Sequence, residues 1–512
     1  MKKISPTLLC LVIFTAVFAA AVSMNGSTSP TEVWVDDDFG PSTPGWGVDH
    51  FDKVQDGVNA VAVGGTVTVY AGTYNENVLV DRTMNLEGES TDTTVVDGGG
   101  SGDVVRVTAD WVEISGFAMI NSGDFPSIGG IVLDHVQHCI IIDNHVSNNN
   151  NGVYLSGSHR NTLHNNIMES NSGEGIELVA STNNTLSNNS ISNNTYGIII
   201  FDSECNLITE NSISVHSYGI FLDASYFNLI SSNSISDYDD GITFRGGSYN
   251  NTIYNNSISN GRTGITFRMY CGDNTIFNNC ISNNFWGIHL KVLSHSTTIS
   301  YNTISRNEYG INLNGGWNTI YHNSIIDNTY QASDDMPDIN DWHHLDLLEG
   351  NYWSDYPGED VGGMTYPWDA TGKHLIAGDG IGDTSVPHPA TDYDYYPLMN
   401  RIGCKMKTIE AAIDIDPDTL NLKSKGRWIS CYVELPDEHE VSEIDIGTVL
   451  LEDAIPAEWG NVQGDMLMVK FDRGEVQDVL SPGTYSLKVA GELTDGILFE
   501  GYSDDIRVID PP

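Results

Sequence analysis

From Gly130 to Gly310 the hydrophobic and polar positions fall into a unit that returns every 22 or 23 residues. Each unit opens on a glycine followed by an aliphatic residue, at Gly130, Gly152, Gly175, Gly197, Gly219, Gly241, Gly264, Gly287 and Gly310. The first and third residues after the glycine are hydrophobic: Ile131 and Leu133, Val153 and Leu155, through to Ile311 and Leu313. Alternation with period two predicts a strand with one buried face. Two further short strands follow in most units, marked by Asn-Thr-Leu/Ile (Asn184 to Leu186, Asn274 to Ile276) and then Asn-x-Ile (Asn189, Asn211, Asn233, Asn256). Three strands per turn of one repeating unit predict an all-β parallel β-helix. Coils stacked about 4.8 Å apart turn each position into a ladder, with Ile and Leu columns in the core and Asn columns exchanging side-chain amide bonds at the corners. The repeated glycine is expected to supply the positive φ of a sharp corner.

Outside the repeats the pattern changes several times. Residues 1–23 read as a signal peptide: Lys2 and Lys3, an apolar run from Leu8 to Ala21, then small residues, with an uncleaved anchor as the alternative. Residues 32–103 are expected to form an N-terminal cap and irregular first coils, with a helical pattern over Phe51 to Ala62 that covers the open end. Regular repeats are expected over 104–330. Residues 331–400, rich in Asp, Gly, Pro, Trp and Tyr, read as an end cap, and 405–510 carry short alternating strands that predict an immunoglobulin-like antiparallel β-sandwich. No second stretch is apolar and long enough to span a membrane.

Charge narrows the partners. The chain has 22 basic and 69 acidic residues, a net charge of −47, which repels nucleic acid and anionic membranes. It suits a secreted or cell-surface protein that lives in salt or binds divalent cations. The cysteines of the repeats lie in separated coils or on different strands, so buried free thiols are expected, and Cys404 with Cys431 is the one pair worth testing. Sequons occur at Asn25, Asn188, Asn193, Asn250 and Asn255; those within the repeat follow from its Asn columns, which are expected to face inward and accept no glycan, leaving Asn25.

Three motifs in series carry a resemblance: Gly350-Asn-Tyr-Trp-Ser-Asp-Tyr356, Asp379-Gly-Ile-Gly-Asp-Thr384 and Asp394-Tyr-Tyr-Pro-Leu-Met399. With the repeats, they make the stretch from Val35 to Met399 resemble the NosD-type family of secreted right-handed β-helix proteins, of the pectin-lyase-like fold. The resemblance implies a right-handed coil and, through the family's link to copper delivery to nitrous oxide reductase, a metal-handling accessory role. Where the family has an acid-rich approach to the second motif, this chain has Asp369-Ala-Thr-Gly-Lys-His-Leu-Ile-Ala-Gly, so an inherited metal site does not carry over directly.

The candidate chemistry lies where the repeats stop agreeing. Four residues after each glycine, on the outward face of the first strand, the column runs Asp134, Ser156, Val179, Phe201, Asp223, Arg245, Arg268, Lys291, Asn314. Three successive cations repel unless compensated; Asp239, Asp240 and Asp273 could do so, or the row could bind a polyanionic chain such as a uronate polymer. Tyr196, Tyr218, Trp286 and Tyr309, each just before a corner glycine, could stack on sugar rings or simply pack. Asp379, Asp383 and Asp394 offer hard oxygen ligands on a glycine-rich segment, fitting either Ca²⁺ or an ordinary turn. His135, His138, His145, His343 and His344 are the copper candidates, but Met and Cys do not cluster with them, so copper is not expected. No catalytic set is identified: of the motifs of polygalacturonase-like enzymes only Asp239-Asp240 is present. The leading expectation is a non-catalytic carbohydrate-binding or envelope-structural protein whose partner is a polysaccharide or envelope glycan. The alternatives are a polysaccharide lyase or epimerase acting on uronate polymers, with Arg245 or Arg268 as base, and a copper-handling accessory protein.

Overall fold

Stacked coils need neighbouring strands in register, and the structure meets that need with three parallel sheets of 14, 13 and 12 strands. The computed structural model describes residues 29–214, 217–336, 339–360, 380–382, 394–402, 408–436, 439–452, 455–493, 498–503 and 506–510; the expected signal peptide lies outside them. Each coil gives one strand to each sheet, as Thr185–Ser187, Ser190–Ser192 and Tyr196–Phe201 do for sheets 1, 2 and 3. Equivalent residues pair from coil to coil, Ile198 with Ile220 and Ile220 with Ile242. Sheet 3 begins at Val78–Val80 and ends at Tyr330–Asp334. The helix at the open end is shorter than the pattern predicted, Val54–Ala60, with Val54 and Val58 buried. Among the described residues no helix is long and apolar enough to cross a membrane.

Inside the rod, Ile and Leu columns are fully buried, and three asparagine ladders run along the corners. In one, the Asn161 Nδ2 donates to Asn184 Oδ1 at 3.1 Å, and Asn184 donates in turn to Asn206 at 3.1 Å. The backbone N–H of each donor residue also reaches the next Oδ1, at 2.9 Å in both cases. One carboxamide oxygen thus satisfies a main-chain donor and a side-chain donor of the coil before it.

The repeated glycines have a different cause from the one the spacing suggested. None of the nine adopts positive φ; they lie within or at the start of sheet 3 strands, where a Cβ has no room. At Gly197 it would stand 2.3 Å from the Gly219 carbonyl oxygen and 2.8 Å from Ile213 Cγ2. The left-handed backbone falls to other residues at the corners, largely Asn, for which it is least costly. Asn188, Asn193, Asn250 and Asn255 are such residues, with φ between 54° and 56°, and they are exposed. The inward ladders are built by the asparagine that follows each of them, so the expectation that these sequons face inward is corrected.

Cys139, Cys271 and Cys431 are free, buried thiols. Cys431 therefore does not pair with Cys404, which lies outside the described residues. Cys280, expected to be free, is disulfide-bonded.

The C-terminal residues have their own core, built around Val433, Val469, Val489 and Phe499. An eight-stranded sheet and a three-stranded sheet enclose it. They are mixed and not purely antiparallel: Thr408–Glu410 runs parallel to Leu498–Tyr502, and Thr419–Asn421 parallel to Ile506–Ile509. A short helix, Arg473–Val479, is capped by the Asp472 carboxylate.

Candidate functional site

Alternate residues of every sheet 3 strand face outward, and stacking converts them into three columns. The first, just before the corner glycine, runs Tyr196, Tyr218, Asp240, Thr263, Trp286, Tyr309, Tyr330. The middle column runs Phe221, Thr243, Thr266, His289, Asn312. The third holds Asp223 beside Arg245, then Arg268 and Lys291 in the following coils.

In the first column the aromatic rings form two stacks. Tyr196 and Tyr218 lie 5.5 Å apart and nearly parallel, and Tyr309 stacks on Tyr330 at 4.7 Å with Trp286 6.4 Å from Tyr309. Between the stacks sits Asp240, 1% exposed. Its carboxylate accepts from Arg262 Nη2 at 3.0 Å and from Arg268 Nη2. Arg268 also donates to the Tyr218 hydroxyl at 3.4 Å and lies over that ring, 5.6 Å from its centroid. To reach the first column from the third, the Arg268 side chain crosses the middle column, which accounts for the complete burial of the outward-facing Thr243 and Thr266.

The compensating acids are thus Asp240, one of those expected, and Asp223, which stands 3.8 Å from Arg245. Arg245 stays largely exposed and contributes little through so long and wet a pair. No carboxylate among the described residues forms an ion pair with Lys291. Burial, and then the Arg268 charge, hold the Lys291 ammonium below the usual lysine range. Burial likewise lowers His289, so the ring is neutral near pH 7. Its Nε2 meets Asn314 Oδ1 at 3.0 Å; that acceptor fixes the proton on Nε2 and leaves a lone pair on Nδ1. Five buried atoms on this face find no partner within the protein: Thr243 Oγ1, Thr266 Oγ1, Arg268 Nε, His289 Nδ1 and Asn312 Oδ1. Each costs roughly 1–3 kcal/mol if nothing bonds to it.

Of the sequence-predicted residues, the structure places Tyr196, Tyr218, Trp286, Tyr309, Arg245, Arg268 and Lys291 on this one face. Sequence reasoning missed His289, Thr243, Thr266 and Arg262, and treated Asp240 only as a counter-charge. His289 had a visible signal: it follows the buried Ile288 in the alternation, at the same outward parity as Lys291 two residues on.

An interruption in an asparagine ladder lies beside Asp240. The corner preceding sheet 3 carries Asn171 and Asn194 in early coils and Asn284 and Asn307 later, but His216, which lies outside the described residues, then Tyr238 and Gly261 in between. The Tyr238 hydroxyl donates to Asn284 Oδ1 at 2.8 Å across two coils, and Gly261 N–H donates to the same oxygen at 3.0 Å. A Cβ on Gly261 would stand 2.0 Å from the Tyr238 ring.

The other candidates are placed elsewhere. Asp379 and Asp383 lie outside the described residues. Asp394 is wholly buried; its oxygens accept from Asn351 N at 2.7 Å, Trp353 Nε1 at 2.8 Å and Tyr396 N at 3.1 Å. It ties the end segment to the last coils and does not present a carboxylate to a surface ion. Burial pushes its carboxyl up to about 7, against 3.8 for an ordinary aspartate. With the folded pKa above the unfolded one, stability from this group is full below pH 4 and is lost as pH rises through 7. At 1.36 kcal/mol per unit the effect reaches a few kcal/mol. Melting temperatures of Asp394→Asn and the parent between pH 4 and 8 should converge toward high pH; parallel curves would refute this.

The sequence profile of the family described as "Periplasmic copper-binding protein (NosD)" matches residues 58–268 and 216–358, together more than half of the chain. The chain belongs to the NosD family. No curated protein matches it. Among solved structures, this NosD-family chain is similar to the A-module of the mannuronan C-5 epimerase AlgE6 of Azotobacter vinelandii, at 14% identity, covering 59% of this chain and 94% of that one, with a TM-score of 0.39. It is also similar to the DFA-IIIase of Arthrobacter chlorophenolicus A6, at 13% identity, covering 61% and 98%, with a TM-score of 0.44.

The copper in the family's description does not fit the donors described. His135 bonds Asp134 at 2.6 Å, His138 stacks on Trp111 at 4.2 Å and His145 bonds Glu169 at 2.9 Å. Among the described residues no three His, Cys, Asp or Glu side chains converge.

Proposed function

We propose that this protein is an exported β-helix that binds an anionic glycan along the outward face of sheet 3. The observation that carries the reading is the gathering on one outward face of a cationic column, Arg245, Arg268 and Lys291, beside an aromatic one that includes Tyr218, Trp286 and Tyr309. Sugar hydroxyls would bond to the exposed Arg245 guanidinium, the apolar faces of the rings would stack on Trp286 and Tyr309, and Lys291 would meet a carboxylate. Four of the 22 cations of a strongly acidic chain, Arg245, Arg262, Arg268 and Lys291, gather here, and two carboxylates, Asp223 and Asp240, answer them. The surplus of positive charge selects an acidic sugar over a neutral one.

Calorimetry with oligouronates and with neutral oligoglucosides tests the reading. Oligouronate binding is expected, weakened about tenfold or more by Lys291→Ala and by Trp286→Ala, roughly the loss of one charge-assisted bond or one stacked ring. Absence of oligouronate binding, or affinity unchanged in the double variant, would overturn it.

A uronate-acting enzyme is the second reading, favoured by His289 and Lys291, two neighbouring bases of this face whose burial favours their neutral forms. Incubation with oligouronates in deuterated water distinguishes the two: an enzyme leaves deuterium or unsaturation at the sugar, a binder leaves the polymer intact.

A further inference from the structure

Beside the cationic column, where the chain leaves sheet 3, a cavity of about 450 Å³ is lined on its apolar side by Tyr270, Val292, Leu293, Trp317, Met336 and Ile339. We propose that it binds a neutral sugar carrying an apolar substituent, such as a 6-deoxy or O-acyl group, attached to the glycan held by sheet 3. The geometry rests on that glycan reading; the existence of the pocket does not.

Two features show that these residues serve something other than the fold. The turn after sheet 3 holds left-handed residues in most coils, and several of those in early coils are small or polar, Gly157, Ala180, Asp202 and Ala224, with Phe227 at φ 56° a lone bulky one on the neighbouring turn. At the cavity the same backbone carries Met269 at φ 54°, Tyr270 at 60° and Leu293 at 70°, with Trp317 at 58° on the neighbouring turn. Bulky side chains are the least suited to this conformation. They are also exposed, Trp317 by 71% and Tyr270 by 57%, so packing offers no compensation. Local rules broken twice at one place mark a functional surface.

Its chemistry selects the occupant. No lysine or arginine lines the cavity, while Asp335, which accepts from Asn314 Nδ2, stands at its edge. A second uronate would be repelled, and a neutral ring would not. Trp317 and Tyr270 offer aromatic faces for the C–H side of a sugar. Asn314 and Asp335 offer polar groups for its hydroxyls. Val292 and Leu293 then leave room for a methyl or acyl group. The volume lies within the roughly 300–1,000 Å³ of small-ligand clefts. Val292 directly follows Lys291, and Asn314 is the residue that fixes His289, so a ligand seated at Lys291 reaches the cavity without a break.

The test uses the full chain with three synthetic probes in calorimetry: an oligouronate, the same oligouronate bearing a 6-deoxyhexose branch, and a neutral 6-deoxyhexose oligosaccharide. The branched probe is expected to bind at least tenfold more tightly than the unbranched one. Trp317→Ala and, separately, the uncharged Val292→Asn should each remove that gain and leave unbranched affinity unchanged, whereas Lys291→Ala should weaken both. Both positions are solvent-exposed, and the unchanged unbranched affinity reports that each variant is folded. Equal affinity for the two acidic probes, or a gain that survives both cavity variants, overturns the proposal. If no oligouronate binds but the neutral oligosaccharide does so through Trp317, the sheet 3 reading falls and the cavity stands. Binding of none of the three overturns both.

Discussion

Replacing Gly197 by alanine is expected to destabilise the rod by about 3 kcal/mol, the upper part of the range for overpacking a well-filled interior. The added Cβ would meet the Gly219 carbonyl oxygen at 2.3 Å and Ile213 Cγ2 at 2.8 Å. A flexible side chain could yield, but the carbonyl belongs to the next coil. Tyr196 and Ile198, on either side of Gly197, pair with Tyr218 and Ile220 in that coil. Opening the gap locally would break ladder hydrogen bonds and disturb the asparagine column at the same corner. Gly40, where an added Cβ meets nothing within 4 Å, provides the control, and Gly40→Ala should change stability by less than about 0.5 kcal/mol. Urea unfolding of the two variants beside the parent measures the difference. A Gly197→Ala midpoint equal to that of Gly40→Ala would show that the column is not closed to a methyl group.

The same glycines show what the sequence could and could not convey. Their spacing announced a solenoid, because only a copied unit keeps one residue type at constant intervals over nine turns. It could not announce why glycine was there, since a positive φ and a forbidden Cβ both select the residue without a side chain. The face of the site was half legible. Outward parity assigned Arg268 and Lys291, and position before a corner glycine assigned Trp286 and Tyr309, to one surface, yet Thr243 and Thr266 have the parity of ordinary solvent-facing residues. Their burial depends on Arg268 reaching across from another column to Asp240, a contact between coils that no periodicity encodes. In the C-terminal residues, alternation located strands such as Trp428–Glu434 but carried no information on their neighbours, so the parallel pairings went unseen. In sequence Asp394 groups with the glycine-rich Asp379 to Thr384 motif as a ligand on a loop; its Trp353 and Asn351 partners bury it instead.

Restoring the interrupted ladder beside Asp240 should reveal how strongly Tyr238 and Gly261 depend on one another. Gly261→Asn alone is expected to cost about 3 kcal/mol or more, because its Cβ would occupy the Tyr238 ring, 2.0 Å away, and that ring is 5% exposed with little freedom to move. Tyr238→Asn alone should cost a similar amount, by removing a buried aromatic and the bond from its hydroxyl to Asn284 Oδ1. Together the two changes extend the ladder back from Asn284 by two coils, with the arrangement seen at Asn171 and Asn194, where one carboxamide oxygen accepts from the backbone and side chain of the coil before it. The double variant should therefore recover most of the loss, giving a coupling energy of about 2 kcal/mol or more in an unfolding cycle. Additive losses would mean that the ring and the glycine are not mutually required. The same double variant bears on function. Arg262 directly follows Gly261, and Asp240 lies two residues after Tyr238, so the break in the ladder shapes the corner from which both approach the binding face. If it exists to seat that carboxylate, the repaired ladder should bind oligouronates several-fold more weakly while melting close to the parent, separating the role of the interruption in recognition from its role in packing.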